Sequence, residues 1–319
     1  MKLKELYDHF IEAGIKNDPR GADSVRQSLA NAKKKYDEMS SEEKSDFDLD
    51  TLTNPYTDSR ILFAKGDEEV KTVIIGIDME TPEILLAHSL RASGKQIDMV
   101  MTHHPEGKAY ATFYNVMGMQ ADILNKFGVP ISFAESVTEH RLKEVGRKVM
   151  PQNHARAVDA ARLLGIPFIS AHTVADNHVT TYLQSIFDTK PHTYIGDIIK
   201  TLKEIPEYKE AMKGKAGPMI VAGSEKSRAG KVAPLDITGG TEPSAMVYEK
   251  LADAGVGTII AMHAGEEHRK ECAKHHINLV VAGHMSSDSL GMNLFLDELE
   301  KHGVKIISCS GLIRVKREK

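Results

Sequence analysis

Cysteine is scarce in this chain. Only Cys272 and Cys309 occur among 319 residues, and they lie far apart in the sequence. Two distant cysteines exclude a disulfide framework and a metal cage built from thiolates. Any bound metal must therefore use histidine, aspartate or glutamate side chains, and the sequence has 15 histidines to supply them.

Long apolar runs are also missing. No segment near the length of a membrane span is uniformly apolar. The first residues, MKLKELYDHFIEAG, have the pattern of an amphipathic helix and not of a signal peptide. The formal net charge is −4, so no overall basic field attracts nucleic acid or an anionic membrane. We expect a globular cytoplasmic protein with one large or two ordinary domains.

The first 69 residues differ in pattern from the rest of the chain. Apolar residues recur there at helical spacing in two stretches, which predicts two amphipathic helices. A charged, turn-rich connector follows, SSEEKSDFDLDTLTNPYTDSR. We therefore predict a helical extension over residues 1–69. The apolar stripes are Leu3, Leu6, Phe10 and Ala13 in the first helix, and Val25, Leu29, Ala32, Tyr36 and Met39 in the second.

From Val70 onward, short apolar runs alternate with helical patterns. The runs are continuously apolar, as in strands that are covered on both faces. Alternation of strands with helices is typical of α/β layers with a largely parallel sheet. We predict two α/β units, over residues 70–190 and 191–319, whose elements can interlink. The predicted strands are VIIGI, IDMVM, VPISFA, IPFISA, PMIVA, GTIIAM, INLVVAG and VKIISC.

Polar side chains follow five of the predicted strands at the point where each strand ends. In open parallel sheets, that edge is where ligands bind. A single histidine in this position is usually a structural, hydrogen-bonded residue, but five such strand ends favour one shared site. The residues are Asp78, the pair His103 and His104, His172 with Asp176 four residues later, His263, and His284 with Asp288 four residues later.

The spacing of these residues favours a pair of metal ions. Successive side chains at a strand end diverge, so His103 and His104 suit two neighbouring ions better than one ion. If a helix begins at His284, Asp288 lies on the same face of that helix, and a carboxylate can bridge two cations. Imidazole and carboxylate ligands suit zinc, iron, manganese or cobalt, and the sequence leaves that choice open.

At these residues the chain resembles the NIF-three-like family, whose members are often described as type-two GTP cyclohydrolase I. Three ordered motifs carry the resemblance: DMVMTHHP, ISAHTVAD and VVAGHMSSDSLGMNLFLDEL. They look like the family's double-histidine–proline turn, its His-Thr-x-x-Asp element and its C-terminal Gly-His-x-x-Ser-acid helix. The resemblance spans Val70 to about Leu299, which is most of the chain.

The resemblance implies a two-domain α/β fold with a dinuclear metal centre between the domains, often in ring-like hexamers. It implies that His103 and His104 bind one metal ion each. It further implies that Asp176 binds one ion, that His284 binds the other, and that Asp288 bridges the two.

Two positions depart from the family pattern. The acidic residue of the last motif is usually glutamate, whereas here it is Asp288, which is one methylene shorter. After the histidine pair and proline, the family usually has an apolar residue, whereas this chain has Glu106. Glu106 is an additional ligand or general base, or it is a solvated turn carboxylate. We take His172 and Glu106 as candidate catalytic residues that move protons, and Asp78 as a carboxylate that supports a ligand or faces the substrate.

Two other stretches have less specific patterns. DITGGTEPSAM has paired glycines ahead of a predicted helix, where backbone N–H groups can hold a phosphate. It lacks a complete nucleotide-binding fingerprint, so we favour a plain turn. HAGEEHRKECAKHH carries four histidines. We expect His263 to reach the pocket and the others to lie on a solvated helix.

Two classes of function fit these patterns. The first is a metal-dependent hydrolase of a small phosphorylated or nucleotide-like substrate, and the second is a non-enzymatic metal-binding scaffold or regulatory interaction protein. A polar pocket with open coordination positions would favour the enzyme, whereas a closed ligand set would favour the scaffold. We expect a homo-oligomer, because the resemblance implies a hexamer. Nucleic-acid binding has little support, because the sequence shows no basic and aromatic surface pattern.

We predict that the purified protein binds two transition-metal ions per chain. His103 and His104 would each bind one ion, so replacing both with alanine should abolish most of the binding. Metal analysis of the unmodified protein and of the His103→Ala/His104→Ala variant measures the effect. Unchanged stoichiometry in the variant would contradict the metal assignment.

Overall fold

The computed structural model describes residues 1–317 and contains two β-sheets with helices packed around them. Within that range, no helix is both long and apolar enough to cross a membrane. The strands are β1 (Ile61–Phe63), β2 (Thr72–Gly76), β3 (Met99–Thr102), β4 (Phe168–Ser170), β5 (Met219–Ala222), β6 (Lys231–Pro234), β7 (Val256–Ala261), β8 (Asn278–Val281) and β9 (Lys305–Ser308).

Most of the chain between these strands is helical. The helices are α1 (Leu3–Lys16), α2 (Ala22–Glu38), α3 (Ser41–Asp46), α4 (Thr81–Ala92), α5 (Gly107–Thr112), α6 (Met119–Lys126), α7 (Ile131–Val149), α8 (Arg156–Leu164), α9 (Thr173–Thr189), α10 (Ile195–Glu204), α11 (Pro206–Lys213), α12 (Val247–Asp253), α13 (Glu266–Lys274) and α14 (His284–Lys301). Two short 3₁₀ helices, Leu49–Leu52 and Phe113–Gly118, complete the set.

The first sheet has the strand order β1-β4-β3-β2-β9. Its strands are parallel except for β1, which pairs with β4 in the antiparallel direction. Gly76 pairs with Thr102, and Thr102 pairs with Ser170, so the carboxyl ends of β2, β3 and β4 lie side by side. Every residue of these three strands is buried, as expected for strands that are covered on both faces.

The second sheet has the strand order β5-β8-β7-β6. Strands β6, β7 and β8 are parallel, and β5 pairs with β8 in the antiparallel direction. The predicted fold class is confirmed, because the structure has two largely parallel sheets within an α/β arrangement. The carboxyl ends of β7 and β8 lead to His263 and to α14, respectively.

Close packing of α9 against α14 joins the two halves of the molecule. A Cβ atom added to Gly291 would lie 2.3 Å from the carbonyl oxygen of Ala175, so only glycine permits this approach. The contact lies within the first two turns of α14 and the first turn of α9. The helix N-termini are therefore neighbours, and each carries an aspartate in its early turns, Asp176 or Asp288.

The N-terminal helices pack on the body of the protein. Leu3, Leu6 and Phe10 of α1 are buried in the same core as β2 and α14. The Phe10 ring contacts the Phe295 ring edge to face, with 4.7 Å between centroids. Helix α2 is more peripheral, because Val25 is its only fully buried residue.

One predicted strand was wrong, and two strands were missed. VPISFA was predicted as a strand, but Ile131 begins α7, in which Ala134 and Val137 are buried at helical spacing. A short apolar run does not by itself distinguish a strand from a buried helix. Strands β1 and β6 were missed because each is a short edge strand, and β6 begins with a charged residue and ends in a proline.

The division into residues 1–69, 70–190 and 191–319 remains a prediction, and the sheets cross these ranges. Strand β1 belongs to the N-terminal range, yet it forms an edge of the first sheet. Strand β9 comes from the C-terminal range and pairs with β2, so that Thr72 lies opposite Lys305. The ranges are therefore interlinked through the first sheet.

We predict that Phe10→Ala destabilises the protein by about 3–5 kcal/mol, because it removes a fully buried aromatic ring and leaves a cavity against α14. Lys16→Ala on the exposed side of the same helix should change stability by less than about 0.5 kcal/mol. Denaturant unfolding of both variants measures the difference. Equal midpoints would mean that α1 adds little to the core.

Candidate metal centre

The aligned carboxyl ends of the first sheet bring four predicted site residues together. Asp78 follows β2, the adjacent His103 and His104 follow β3, and His172 follows β4. The imidazole centroid of His103 lies 5.4 Å from that of His104 and 5.0 Å from that of His172. The parallel register therefore forms one half of the candidate centre.

The α14 helix adds His284 and Asp288, which share one face because they lie four residues apart. The Asp288 carboxylate is fully buried and lies among three imidazoles. Its Oδ1 is 3.5 Å from His103 Nε2, and its Oδ2 is 3.5 Å from His104 Nε2 and 3.6 Å from His284 Nε2. The two oxygens of Asp288 therefore face different histidines, as a bridging carboxylate would.

Asp176 lies in the first turn of α9, four residues after His172, just as Asp288 lies four residues after His284. Its Oδ1 is 3.5 Å from His103 Nε2, and its Oδ2 is 3.8 Å from His172 Nε2. Burial raises the pKa of the Asp176 carboxyl to about 6, although His172 and His103 act in the opposite direction. Two groups of side chains thus have ligand atoms close enough to hold an ion: His103, His104 and Asp288, and His103, His172 and Asp176.

Unpartnered buried oxygens show that these residues fit a metal. Within residues 1–317, Asp176 Oδ1 and both carboxylate oxygens of Asp288 are buried and make no hydrogen bond. A buried charge without a hydrogen bond or ion is costly, and such groups normally pair or coordinate metals. The histidine and carboxylate donors are those that suit zinc, iron, manganese or cobalt. Buried His/Asp groups that could hold an ion are therefore present.

Hydrogen bonds at Nδ1 orient three of the imidazoles. His103 Nδ1 donates to the carbonyl oxygen of Ala171 at 3.1 Å. His104 Nδ1 donates to Asp78 Oδ1 at 2.6 Å, and His172 Nδ1 donates to Asp58 Oδ2 at 2.8 Å. Because these oxygens accept the Nδ1 proton, the Nε2 atoms are directed toward the buried carboxylates. Metal-binding histidines are usually held in this way.

The charges in the cluster depend on one another. Burial raises the pKa of the Asp288 carboxyl, but His103 and His104 outweigh burial and hold the pKa well below its usual range. Burial lowers the pKa of His104, but the Asp288 and Asp78 carboxylates raise it to about 10. Burial also lowers the pKa of His284 to about 4, so this imidazole is neutral. Without metal, protons on imidazoles compensate the buried carboxylates; a bound cation would supply that positive charge instead.

A cavity of about 450 Å³ opens onto the cluster. Such a volume is within the usual range for small-molecule sites. The predicted site residues that line the cavity are His104, His172, Asp176, His284, Asp78, Glu106 and His263. His103 and Asp288 lie behind this surface and are buried. The opposite parts of the wall come from α5, α8 and the loop after β6.

Glu106 lines the cavity and makes no side-chain hydrogen bond or ion pair with another residue in the part of the chain that the structure describes. Burial and the neighbouring Glu80 carboxylate raise the pKa of Glu106 to about 7. Its assignment as a ligand or general base remains a prediction.

Three residues of the site were missed in the sequence analysis. Asp58, which supports His172, lies in the charged connector, where nothing distinguishes it from its neighbours. Glu242 lies 3.0 Å from His263 Nδ1, and that hydrogen bond lowers the pKa of Glu242 to about 2. Asp236 lines the cavity beyond β6. Asp236 lies two residues after the end of β6, so it would have been recognised as a strand-end residue if β6 had been predicted.

The structure also shows the conformation of DITGGTEPSAM and of HAGEEHRKECAKHH, the two stretches with less specific patterns. In DITGGTEPSAM, Gly239 and Gly240 have φ angles of +93° and +88°, and α12 begins only at Val247, so the glycines form a turn and do not open a helix. His263 reaches the cavity, as expected. His268 was expected on a solvated helix face, but it is buried and bonded to the carbonyl oxygen of Pro243.

No protein-family model and no curated protein matches the chain. Among solved structures, a NIF3 superfamily protein from Sphaerobacter thermophilus shares 27% identity, covers 80% of this chain and 92% of its own, and superposes with a TM-score of 0.67. Reduced HcgD from Methanocaldococcus jannaschii shares 16% identity over 78% of this chain and 88% of its own, with a TM-score of 0.46. The hypothetical protein SA1388 from Staphylococcus aureus shares 12% identity over 82% and 91%, with a TM-score of 0.42.

Fold and site define an α/β protein in which histidine and carboxylate groups suited to metal lie at the carboxyl ends of parallel strands. Similarity to the Sphaerobacter protein extends over most of both chains. Together with the three sequence motifs, it confirms the family resemblance. The chain is therefore similar to the NIF3 superfamily in fold and in sequence motifs.

We predict that Asp288→Asn weakens the binding of both metal ions, because the oxygens of Asp288 face histidines of both groups. Asp176→Asn should weaken mainly one ion, because Asp176 lies near His103 and His172 only. Metal content during titration with a competing chelator separates the two patterns. If Asp288→Asn retains both ions as firmly as the unmodified protein, Asp288 does not bridge them.

Proposed function

We propose that this protein is a member of the NIF3 superfamily and a metal-dependent hydrolase of a small phosphorylated or nucleotide-like molecule. His103, His104, Asp176, His284 and Asp288 would hold two divalent transition-metal ions, which are zinc, iron, manganese or cobalt. The proximity of His172 to Asp176 adds His172 as a candidate ligand. We also propose that the protein forms a homo-oligomer; a hexamer is the assembly that the family resemblance implies.

The observation that supports an enzyme is the cavity that borders the cluster. His104, His172, Asp176 and His284 each contribute to its wall, so a small molecule in the cavity would contact the ligand side chains. A scaffold that uses metal only for stability would need no such access. The position and volume of the cavity therefore favour a substrate site over a closed structural site.

The two ions, when bound, would polarise an electrophilic group of the substrate and lower the pKa of water. The protein residues orient the site around them. Asp78 holds the His104 ring by its Nδ1 proton, and the Ala171 carbonyl holds the His103 ring in the same way. Neither imidazole can then rotate without breaking a hydrogen bond, and the bond made by His103 is buried.

Glu106 is the proposed proton carrier. Its carboxylate lines the cavity without an internal partner, whereas Asp78 is engaged by His104 and the His172 Nδ1 atom is engaged by Asp58. A free carboxyl on the cavity wall can accept a proton from water at one oxygen and return it to a leaving group. His172 and Asp78 are better suited to holding the site than to proton transfer.

We predict that the protein, stripped of metal and reloaded with zinc, manganese, cobalt or iron, hydrolyses a member of a panel of nucleotides and phosphate monoesters. Glu106→Gln should lower kcat about 100- to 10,000-fold, the usual contribution of a general acid or base. Metal content should remain that of the unmodified protein.

Glu135→Gln is the matched control, because Glu135 is an exposed carboxylate on α7 that does not line the cavity. It should leave kcat within a few-fold. If no compound in the panel is hydrolysed faster than by the His103→Ala/His104→Ala variant, the hydrolase proposal is wrong and the scaffold interpretation is preferred.

A further inference from the structure

Asp58 is a fully buried carboxylate that lies behind His172. It belongs to the connector between the N-terminal helices and β1, outside the three sequence motifs. Its Oδ2 accepts a hydrogen bond from His172 Nδ1 at 2.8 Å and one from Thr173 Oγ1 at 2.6 Å. Its Oδ1 accepts a hydrogen bond from Ser59 Oγ at 3.1 Å. The carboxylate is thus fully engaged at the junction between β4 and α9.

Further bonds attach the same connector to that junction. The backbone N–H of His172 donates to Ser59 Oγ at 3.0 Å, and Ser170 Oγ donates to the carbonyl oxygen of Asp58 at 2.8 Å. Strand β1 then pairs with β4. The connector therefore runs alongside β4 to the carboxyl end of that strand, where it holds His172.

The connector is itself held in one conformation. Asn54 Nδ2 donates to the Ser59 carbonyl at 2.7 Å and to the Tyr7 hydroxyl of α1 at 2.8 Å. On the other side, the Arg60 guanidinium pairs with Asp48 at 2.8 Å. A continuous set of hydrogen bonds thus runs from α1 through Asn54 and Ser59 to His172.

We infer that Asp58 is a positioning residue for His172, which it holds as a ligand for the metal ion that Asp176 binds. The N-terminal segment is then part of the metal centre and not an accessory to it. This inference rests on the proposed metal-binding function. It goes beyond that function because it adds a residue from outside the motifs and assigns it to one ion.

The assignment to one ion follows from the geometry. With its Nδ1 proton donated to Asp58, His172 directs Nε2 toward Asp176 Oδ2, 3.8 Å away. Asp78 performs the same role for His104, whose Nε2 faces Asp288. Each of the two side-chain groups therefore has its own carboxylate–histidine pair. Loss of the Asp58 charge should affect one ion and spare the other.

Cobalt(II) titration of Asp58→Asn, followed by visible absorption and by competition with a chelator, tests the inference. We expect one ion to bind as in the unmodified protein and the other to bind about 10- to 100-fold more weakly, the usual effect of removing a residue that orients a metal-binding histidine. Asp78→Asn should weaken the other ion instead. Ser170→Ala is the control, because it removes a bond to the Asp58 backbone and keeps the carboxylate.

A second measurement needs no metal. In ¹⁵N NMR spectra of the metal-free protein at alkaline pH, His172 should be the Nδ1–H tautomer, and Asp58→Asn should increase the Nε2–H form. An unchanged tautomer together with unchanged binding of both ions would overturn the inference. Equal weakening of both ions with a lower Tm would also overturn it, because Asp58 would then act only on folding.

If the unmodified protein binds no cobalt, the proposed function fails, and the tautomer measurement still decides whether Asp58 orients His172. If the unmodified protein binds two ions and only the Asp58→Asn result is negative, the proposed function stands and the inference fails. The two failures are therefore distinguishable.

Discussion

Burial of the Asp288 carboxylate among three imidazoles is the interaction on which the rest of the site depends. A charge in this position is stable only if positive charge surrounds it, from protonated histidines or from bound metal. The two histidines that follow β3 and His284 at the start of α14 are thus held together by one buried charge.

That burial is possible because α9 and α14 approach closely at Gly291. The same approach places Asp176 near Asp288, so two carboxylates share the imidazole of His103. A side chain at Gly291 would separate the helices, and the distances from His103 to the two carboxylates would no longer be equal. The helix packing and the electrostatics of the site are therefore one constraint and not two.

The candidate centre also draws on every part of the chain. The first sheet supplies the histidine pair, α9 and α14 supply the aspartates, and the N-terminal connector supplies Asp58. The second sheet supplies His263, which lies against His284 with 4.7 Å between ring centroids. Side chains from all three of the predicted sequence ranges therefore meet at this one site.

Hydrophobic pattern made much of the fold predictable. The continuously apolar runs that became β2, β3, β4, β7 and β8 are long enough to be recognised, and their polar ends pointed to His103, His172 and His284. The failures have the same origin. The run VPISFA, most of which forms the start of α7, has an apolar pattern that fits a strand or a buried helix. Strands β1 and β6 are edge strands whose stability comes from pairing with a neighbour.

The sequence by itself determined the class of fold, seven of the nine strands in residues 1–317 and the ligand types that the motifs bring to the sheet edge. It did so because periodicity and strand-end residues are local features. Only the tertiary structure decided that Asp58 supports His172 and that Glu242 supports His263, because hydrogen bonds across 114 and 21 residues leave no local pattern. The protonation of the buried cluster was likewise decided by burial and by neighbouring charges, which exist only after the chain has folded.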